Sequence, residues 1–238
     1  MNDDGFREVI GFTVVDGESE AAWNEFFLSL KERGPKDVDL VTSDAHGGLT
    51  KAISKQFCGA SWQRCQTLFS KNMLDKTPKK LQTDVKVALT HLYNAPELKD
   101  ATARKNQLIE RYQEEAPEAM VLLDERFDEI TAVYGLPEPY RKRLRTSNSI
   151  ERLNEELRRR ERVIQKRPSY QTNILRGIFP NETSMIRLMG SVLMEIHEKW
   201  MTGKKYFNME RYEASKEKAK KVAQADREEL DQADQFIA

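Results

Sequence analysis

The sequence predicts an α/β fold in which a small core is interrupted by a long run of helices. Short β-rich segments alternate with helical patterns over the first 67 residues, whereas the pattern from about 68 to 140 is helical throughout. A strongly basic helical segment follows at 148–164 and is expected to pack back onto the core. The predicted order is therefore β-α-β-α-β, followed by helices alone.

The first predicted strand is the segment 7–15, REVIGFTVV, which Asp16-Gly17 ends. The residues before it contain Asp4-Gly5, a dipeptide typical of a hairpin turn. A hairpin turn joins two strands, so we expect this chain to begin inside a β-sheet.

The next element is an amphipathic helix at 18–33, which Gly34-Pro35 ends. One face of this helix carries Trp23, Phe26, Phe27 and Leu30 at helical spacing. The remaining elements of this half are a strand at 38–43, a short helix at 49–57 and a segment at 61–66. That segment is interpreted as a third strand, with the start of a helix as the alternative.

The second half of the chain is predicted to be helical. Helices are expected at 81–93, 96–114, 117–134, 148–164, 182–200 and 209–236, with a break at 135–139 and a loop at 169–180. We therefore expect four regions. They are a partial core at 1–67, a helical insertion at 68–140, a segment at 141–208 whose helices pack back onto the core and a polar C-terminal helix at 209–238.

The net charge of the chain is zero, and 33% of its residues are charged. This balance argues against a uniformly basic nucleic-acid-binding protein. The charge is unevenly distributed, however, because residues 141–167 hold eleven Lys/Arg and four Asp/Glu, a local net charge of +7. Such a patch is compatible with binding to a polyanion.

The two cysteines, Cys58 and Cys65, are too few and too widely spaced to form a zinc framework. We expect both to be ordinary small apolar residues. The chain shows no signal peptide and no apolar run near the roughly 20 residues that a membrane helix needs. A cytoplasmic protein with reduced thiols and no membrane partner is therefore expected.

Two acidic residues occupy positions suited to a divalent metal ion. Asp44 follows the predicted strand 38–43, at the end where ligands collect in open α/β sheets, and Glu151 lies early in the basic helix. Mg²⁺ prefers carboxylate oxygens, and phosphoryl transfer with two metal ions needs about three of these groups. The alternatives are Asp44 as a turn or N-cap residue and Glu151 as a surface partner of Arg145 or Arg158.

Arginines of the basic helix are candidates for contacts with DNA phosphates, since several on one helix can follow a strand. They are Arg152, Arg158, Arg159, Arg160 and Arg162. The alternative is a solvated helix face. His46, two residues after Asp44, is either a contact to a metal or phosphate or an ordinary turn residue.

Six segments with ordered spacing cover nearly the whole chain. They are REVIGFTVVDGESEAAWNEFFLSLKERG (7–34), VTSDAHGGLTKAI (41–53), WQRCQTLFSKNMLDKTPKK (62–80), RTSNSIERLNEELRRRERVI (145–164), GIFPNETSMIRLMGSVLMEIHEKW (177–200) and TGKKYF (202–207). Together they resemble the mutator-type transposases of bacterial insertion sequences.

The resemblance implies an RNase H-like core with an all-helical insertion and a helical C-terminus. It also implies a DDE triad that binds two Mg²⁺ ions and performs DNA cleavage and strand transfer during transposition. Asp44 matches the second Asp of the triad, and Glu151, in the motif that Asn148 opens, matches the Glu. Both are thus expected to be catalytic residues and metal ligands, with transposon ends and target DNA as partners.

Three departures from the family pattern matter. The leading Asp belongs to a first strand upstream of residue 1, so we expect an incomplete core that lacks its two central strands; Asp3, Asp4 and Asp16 lie in turns and do not substitute. Cys65 matches the family's Cys-x-x-His, but Leu68 stands at the His position. The segment 165–175 intervenes as an extra loop.

The expected function is therefore that of a Mutator-type transposase of which this chain is a truncated, inactive copy. One alternative is a non-catalytic fragment that binds DNA or oligomerises and so modulates an intact transposase. Its partner would be a second copy of this chain or the intact transposase. Another is a pseudogene product without function.

Overall fold

The computed structural model describes residues 1–15, 17–35, 37–164, 182–218 and 221, without the side chains of 161–164, 182 and 185. This part of the chain is mostly helical and contains a small two-stranded parallel sheet. The coarse α/β expectation is thus confirmed. None of the described helices combines the length and the hydropathy needed to cross a bilayer.

The elements follow the predicted order closely after residue 17. Around the sheet they are α1 (Glu20–Glu32), β1 (Leu40–Ser43), α2 (Gly47–Gln56) and β2 (Ser61–Arg64). The helices that follow are α3 (Gln66–Asp75), α4 (Gln82–Tyr93), α5 (Leu98–Tyr112), α6 (Pro117–Glu125), α7 (Phe127–Thr131), α8 (Glu138–Leu144), α9 (Asn148–Ile164) and α10 (Glu182–Met201). A further helix covers 210–218.

The sheet places the ends of both strands at one edge. β1 pairs with β2 in parallel, with Leu40 opposite Ser61 and Ser43 opposite Arg64. The residues that come next along the chain, Asp44 and Cys65, therefore leave the sheet side by side.

The predicted strand at 7–15 is not a strand in the structure. A strand needs a neighbour to pair its N–H and C=O groups, and no described segment forms a ladder with this one. Its Val9 N–H instead donates to Nδ1 of His197 on α10, at 3.3 Å. A turn does precede it, since the Gly5 N–H donates to the Asn2 carbonyl and Gly5 adopts a φ of 86°. The turn joins no strands of the described sheet, so the expected hairpin at Asp4-Gly5 and the expected start inside a β-sheet are wrong.

Helices α1 and α2 form one apolar cluster beside the sheet. The Ser19 hydroxyl caps α1 by accepting from the Ala22 N–H. The close approach of the two helices depends on Gly48, because a Cβ atom there would lie 2.8 Å from the Glu20 backbone nitrogen. The cluster joins buried Phe27, Leu30, Leu49, Ala52 and Ile53 to the partly buried Trp23 and Phe26.

A second and larger cluster fills the helices α3 to α7, here called the helical bundle. Its members with almost no exposed surface include Phe69, Met73, Val85, Leu89, Leu92, Leu123 and Ile130. The single helix predicted at 117–134 is divided at Arg126, whose ψ of 15° departs from helical geometry. Both parts still bury their apolar side chains in this cluster.

Tyr93 at the end of α4 is expected to make the free energy of unfolding depend on alkaline pH. Its hydroxyl lies 2.9 Å from that of Ser70, and burial raises the pKa of Tyr93 well above its ordinary value. The folded state thus holds this proton more tightly, and the associated stability is present below about pH 10 and is lost as pH rises further.

We expect Tyr93→Phe to flatten the fall in the free energy of unfolding above about pH 10. Urea unfolding at several pH values, followed by circular dichroism, measures this slope. Part of the slope should remain, because burial also raises the pKa of Tyr134. Equal slopes in the variant and the wild type would contradict the prediction.

Candidate functional site

The end of the sheet is held by hydrogen bonds from three directions. The Cys65 N–H donates to the Ser43 carbonyl at 2.7 Å, and the Trp62 indole N–H donates to the Ser43 hydroxyl at 2.9 Å. The Thr42 hydroxyl donates to the Leu144 carbonyl at 2.6 Å. The strand that leads to Asp44 is thereby fixed to β2 and to the end of α8.

Asp44 is half-buried at this edge, and its Oδ1 accepts a hydrogen bond from the His46 N–H at 3.3 Å. That contact is typical of an Asp in a turn. His46 is exposed at the N-cap of α2, and its side chain makes no capping bond. The structure is thus compatible with both readings of Asp44 given by the sequence.

The segment 145–147, here called the elbow, connects α8 to α9 and is anchored by Arg145. The guanidinium group donates to the Tyr93 carbonyl at 2.7 Å and to Oδ1 of Asn94 at 3.1 Å. The Arg145 carbonyl accepts from the Gln66 N–H at 3.0 Å. Half-burial lowers the pKa of Arg145 from its usual value. Arg145 therefore joins the elbow to the helical bundle and is not a partner of Glu151.

Glu151 is joined to the sheet edge through Ser147 and Cys65. The Ser147 hydroxyl donates to Oε1 of Glu151 at 3.0 Å, and the Ser147 N–H donates to Sγ of buried Cys65 at 3.4 Å. Since the Cys65 N–H is bound to Ser43, one path of hydrogen bonds leads from the residue before Asp44 to Glu151. The structure thus joins Glu151 to the end of the sheet at which Asp44 follows β1.

Asn148, the first residue of α9, contacts the first turn of α3. Its Oδ1 accepts from the Thr67 hydroxyl at 3.1 Å. Leu68, at the position where the resemblance implies His, is half-buried in the first turn of α3. Both cysteines are free thiols: Cys65 is buried, whereas Cys58 is exposed just after the end of α2.

Two buried glutamines link the sheet to the helical bundle, a role that the sequence analysis missed. Oε1 of Gln63 accepts from the Val133 N–H at 2.9 Å, and the Gln66 amide donates to the Ile130 carbonyl at 2.8 Å. Between them, Arg64 forms an ion pair with Glu129 at 3.1 Å. The sequence feature that could have indicated this role is the segment Gln63 to Gln66. Its side chains are mostly polar and can form hydrogen bonds with backbone N–H and C=O groups.

The arginines of α9 differ in exposure and in their contacts. Arg159 and Arg160 both bind Glu156, at 2.7 and 2.9 Å, and these hydrogen bonds lower the pKa of Glu156 to about 2. Arg152, Arg158 and Arg159 are exposed, and Arg160 is half-buried. The side chain of Arg162 and the segment 165–175 lie outside the described residues.

Asp44 and Glu151 offer the hard oxygen ligands that Mg²⁺ prefers. Two carboxylates suit one ion that is shared with a substrate phosphate, but they fall short of the roughly three that a pair of ions requires. Within the described ranges, no cluster of three or more His, Cys, Asp or Glu side chains is placed to hold a metal. The catalytic and metal-binding roles of both residues stay predictions.

Comparison with known proteins shows what the chain as a whole is similar to. The model of the family described as "Transposase, Mutator family" matches residues 1–203. The transposase for insertion sequence element IS256 in transposon Tn4001 of Staphylococcus aureus is 41% identical over 211 residues, 87% of this chain and 51% of the relative. The IS1081 transposase of Mycobacterium tuberculosis is 35% identical over 210 residues, 88% of this chain and 48% of the relative. The chain thus spans about half the length of the curated relatives it matches.

Proposed function

Since the chain belongs to the Mutator family of transposases, we propose that it forms the part of an insertion-sequence transposase that aligns two acidic residues of a DDE site, Asp44 and Glu151. The observation that carries this proposal is the path of hydrogen bonds from Ser43 through Cys65 and Ser147 to Glu151. It joins residues far apart in sequence at the edge where parallel α/β sheets hold their ligands.

The proposed architecture is part of an RNase H-like core. The parallel pair β1 and β2, with α1 and α2 packed beside it, supplies the sheet edge, and α9 brings Glu151 to it after the helical bundle. The division into core, insertion and C-terminal regions follows the same proposal.

The proposed cofactor is Mg²⁺, which Asp44 and Glu151 would hold and which would supply Lewis-acid polarisation of a DNA phosphodiester. The protein contributes the positions of these groups. The Ser147 hydroxyl holds one oxygen of Glu151, while Cys65 fixes the Ser147 backbone. Such outer contacts orient the carboxylates that bind a metal.

We propose that this chain alone does not perform strand transfer, because Asp44 and Glu151 cannot by themselves bind two ions in the required geometry. A non-catalytic role, DNA binding that modulates an intact transposase, is the second candidate. It is favoured by exposed Arg152 and Arg158 on α9. Robust Mg²⁺-dependent DNA cleavage by this chain, abolished by Asp44→Ala, would overturn the proposed inactivity.

The proposed metal site is tested by Mn²⁺ binding, measured by titration calorimetry with a short DNA duplex present. We expect Asp44→Asn and Glu151→Gln each to weaken Mn²⁺ binding by about 10-fold or more, since each removes a charged oxygen ligand. Glu155→Gln is the matched control, because Glu155 lies one turn further along α9 and is exposed. Equal affinities in Glu151→Gln and Glu155→Gln would refute the assignment.

A further inference from the structure

A groove of about 690 Å³ lies between the start of α9, the end of α10 and the N-terminal segment. We call it the basic groove. Its lining includes four cations and two aromatic rings: Arg7, Lys142, Arg143, Arg152, Trp200 and Tyr206. Residues remote in sequence thus converge on one concave surface next to the helix that carries Glu151.

Two arginines of the basic groove are held in place by the Tyr206 ring. The Arg7 guanidinium lies 4.4 Å from the centre of the Trp200 ring and 4.7 Å from that of Tyr206. The Arg143 guanidinium is also 4.7 Å from the Tyr206 ring, and it donates to the Tyr206 carbonyl. Stacking leaves the N–H groups at the edge of a guanidinium available, in a fork that matches phosphate oxygens.

The backbone around Gly5 fixes the position of Arg7. The Gly5 carbonyl accepts from the N–H groups of Tyr206 and Phe207, at 2.8 and 3.2 Å. A Cβ atom on Gly5 would lie 2.1 Å from the Phe207 carbonyl oxygen, so the two segments are in close contact. Arg7 is therefore pre-positioned over Tyr206 before any ligand binds.

The charge in the basic groove is strongly unbalanced. Against its four cations stands a single lining carboxylate, Glu156, which already binds Arg159 and Arg160. The N-terminal turn of α9 adds Asn148 and Ser149 to the lining, and the helix dipole favours negative charge there. The groove is thus suited to an anion.

We propose that the basic groove binds the sugar-phosphate backbone of a DNA strand. Its volume lies in the range of about 300–1,000 Å³ typical of ligand sites, which is larger than one phosphate ion needs. Arg152 lines the groove and follows Glu151 directly in α9, so the groove and the proposed metal ligand share one turn of this helix. This inference rests on the proposed function, because the family assignment makes DNA the ligand.

The test uses a fluorescein-labelled 20-base-pair duplex and its single strand, with binding measured by fluorescence anisotropy at several salt concentrations. We expect Arg7→Gln and Arg143→Gln each to weaken binding by about 10-fold near 50 mM salt, and to lower the slope of log K against log salt by about one. Arg7→Lys should restore the slope but not the full affinity, since it keeps the charge and loses the fork.

Arg111→Gln is the matched control, because Arg111 is exposed and stacks on Tyr112 at 5.2 Å, outside the groove. The groove assignment is overturned if the wild type binds the duplex and if Arg7→Gln and Arg143→Gln bind it with the same affinity as Arg111→Gln. The proposed function would still stand after that result. Equal displacement of the duplex by polyaspartate would also overturn it, in favour of a general polyanion surface. If the wild type binds no DNA at all, the groove assignment is overturned as well. The metal ligands Asp44 and Glu151 are tested separately, by Mn²⁺ binding. Thermal unfolding of each variant separates loss of contact from loss of fold.

Discussion

Phe69→Ala is expected to lower the free energy of unfolding by about 3–5 kcal/mol, the usual cost of removing a buried aromatic ring. Phe69 has no exposed surface and packs in the helical bundle near the start of α3. The Arg64 guanidinium lies 5.0 Å from the centre of its ring. The substitution therefore opens a cavity in the helical bundle and also removes the aromatic ring against which the Arg64 guanidinium packs.

Urea unfolding followed by circular dichroism at 222 nm measures this effect. Val87→Ala on α4 is the control, since Val87 is 53% exposed and a surface substitution is expected to change stability by about 0.5 kcal/mol or less. If both variants unfold at the same urea concentration, Phe69 is not part of a close-packed core.

Arg145→Ala is expected to have the second largest effect, a loss of about 2–3 kcal/mol in the free energy of unfolding. Its guanidinium group binds the Tyr93 carbonyl and Asn94 from a half-buried position, and hydrogen bonds to a charged group contribute about 1.5–3 kcal/mol. We also expect weaker Mn²⁺ binding, because the elbow that Arg145 anchors contains Ser147, whose hydroxyl binds Glu151.

Arg145→Lys separates these contributions, because an ammonium group keeps the charge but cannot bind both acceptors as a planar fork. Its stability and Mn²⁺ affinity should lie between those of the wild type and Arg145→Ala. A fully folded Arg145→Ala variant with unchanged Mn²⁺ affinity would show that the elbow is positioned without Arg145. Titration calorimetry and urea unfolding on the same samples decide between these outcomes.

The elements with strong local patterns were predictable from the sequence. Helix α9 covers the predicted range 148–164, and α1 starts and ends within two residues of its predicted bounds. The segment 7–15 shows where such patterns fail. Its composition favours a strand, but a strand also depends on a neighbour, and that information lies outside the segment.

The candidate site was predictable in its residue types but not in its supports. The strand-end position identified Asp44, and the resemblance identified Glu151. The partners of Gln63 and Arg145 are backbone carbonyls and N–H groups of the helical bundle. Backbone partners cannot be recognised from residue identity. The charge pattern at 141–167 predicts a surface for DNA, whereas Arg145, which lies within it, binds the Tyr93 carbonyl of the helical bundle.

The path of hydrogen bonds to Glu151 has a consequence for the order of folding. Within the helical bundle, most contacts join helices that follow one another in sequence, so most of the loops that must close are short. The bond between Ser147 and Cys65 instead joins residues 82 positions apart. Long-range contacts form slowly because chain entropy opposes them. The bundle is therefore expected to form first and to act as the template on which the sheet edge assembles, so that the alignment of Asp44 with Glu151 is a late event in folding.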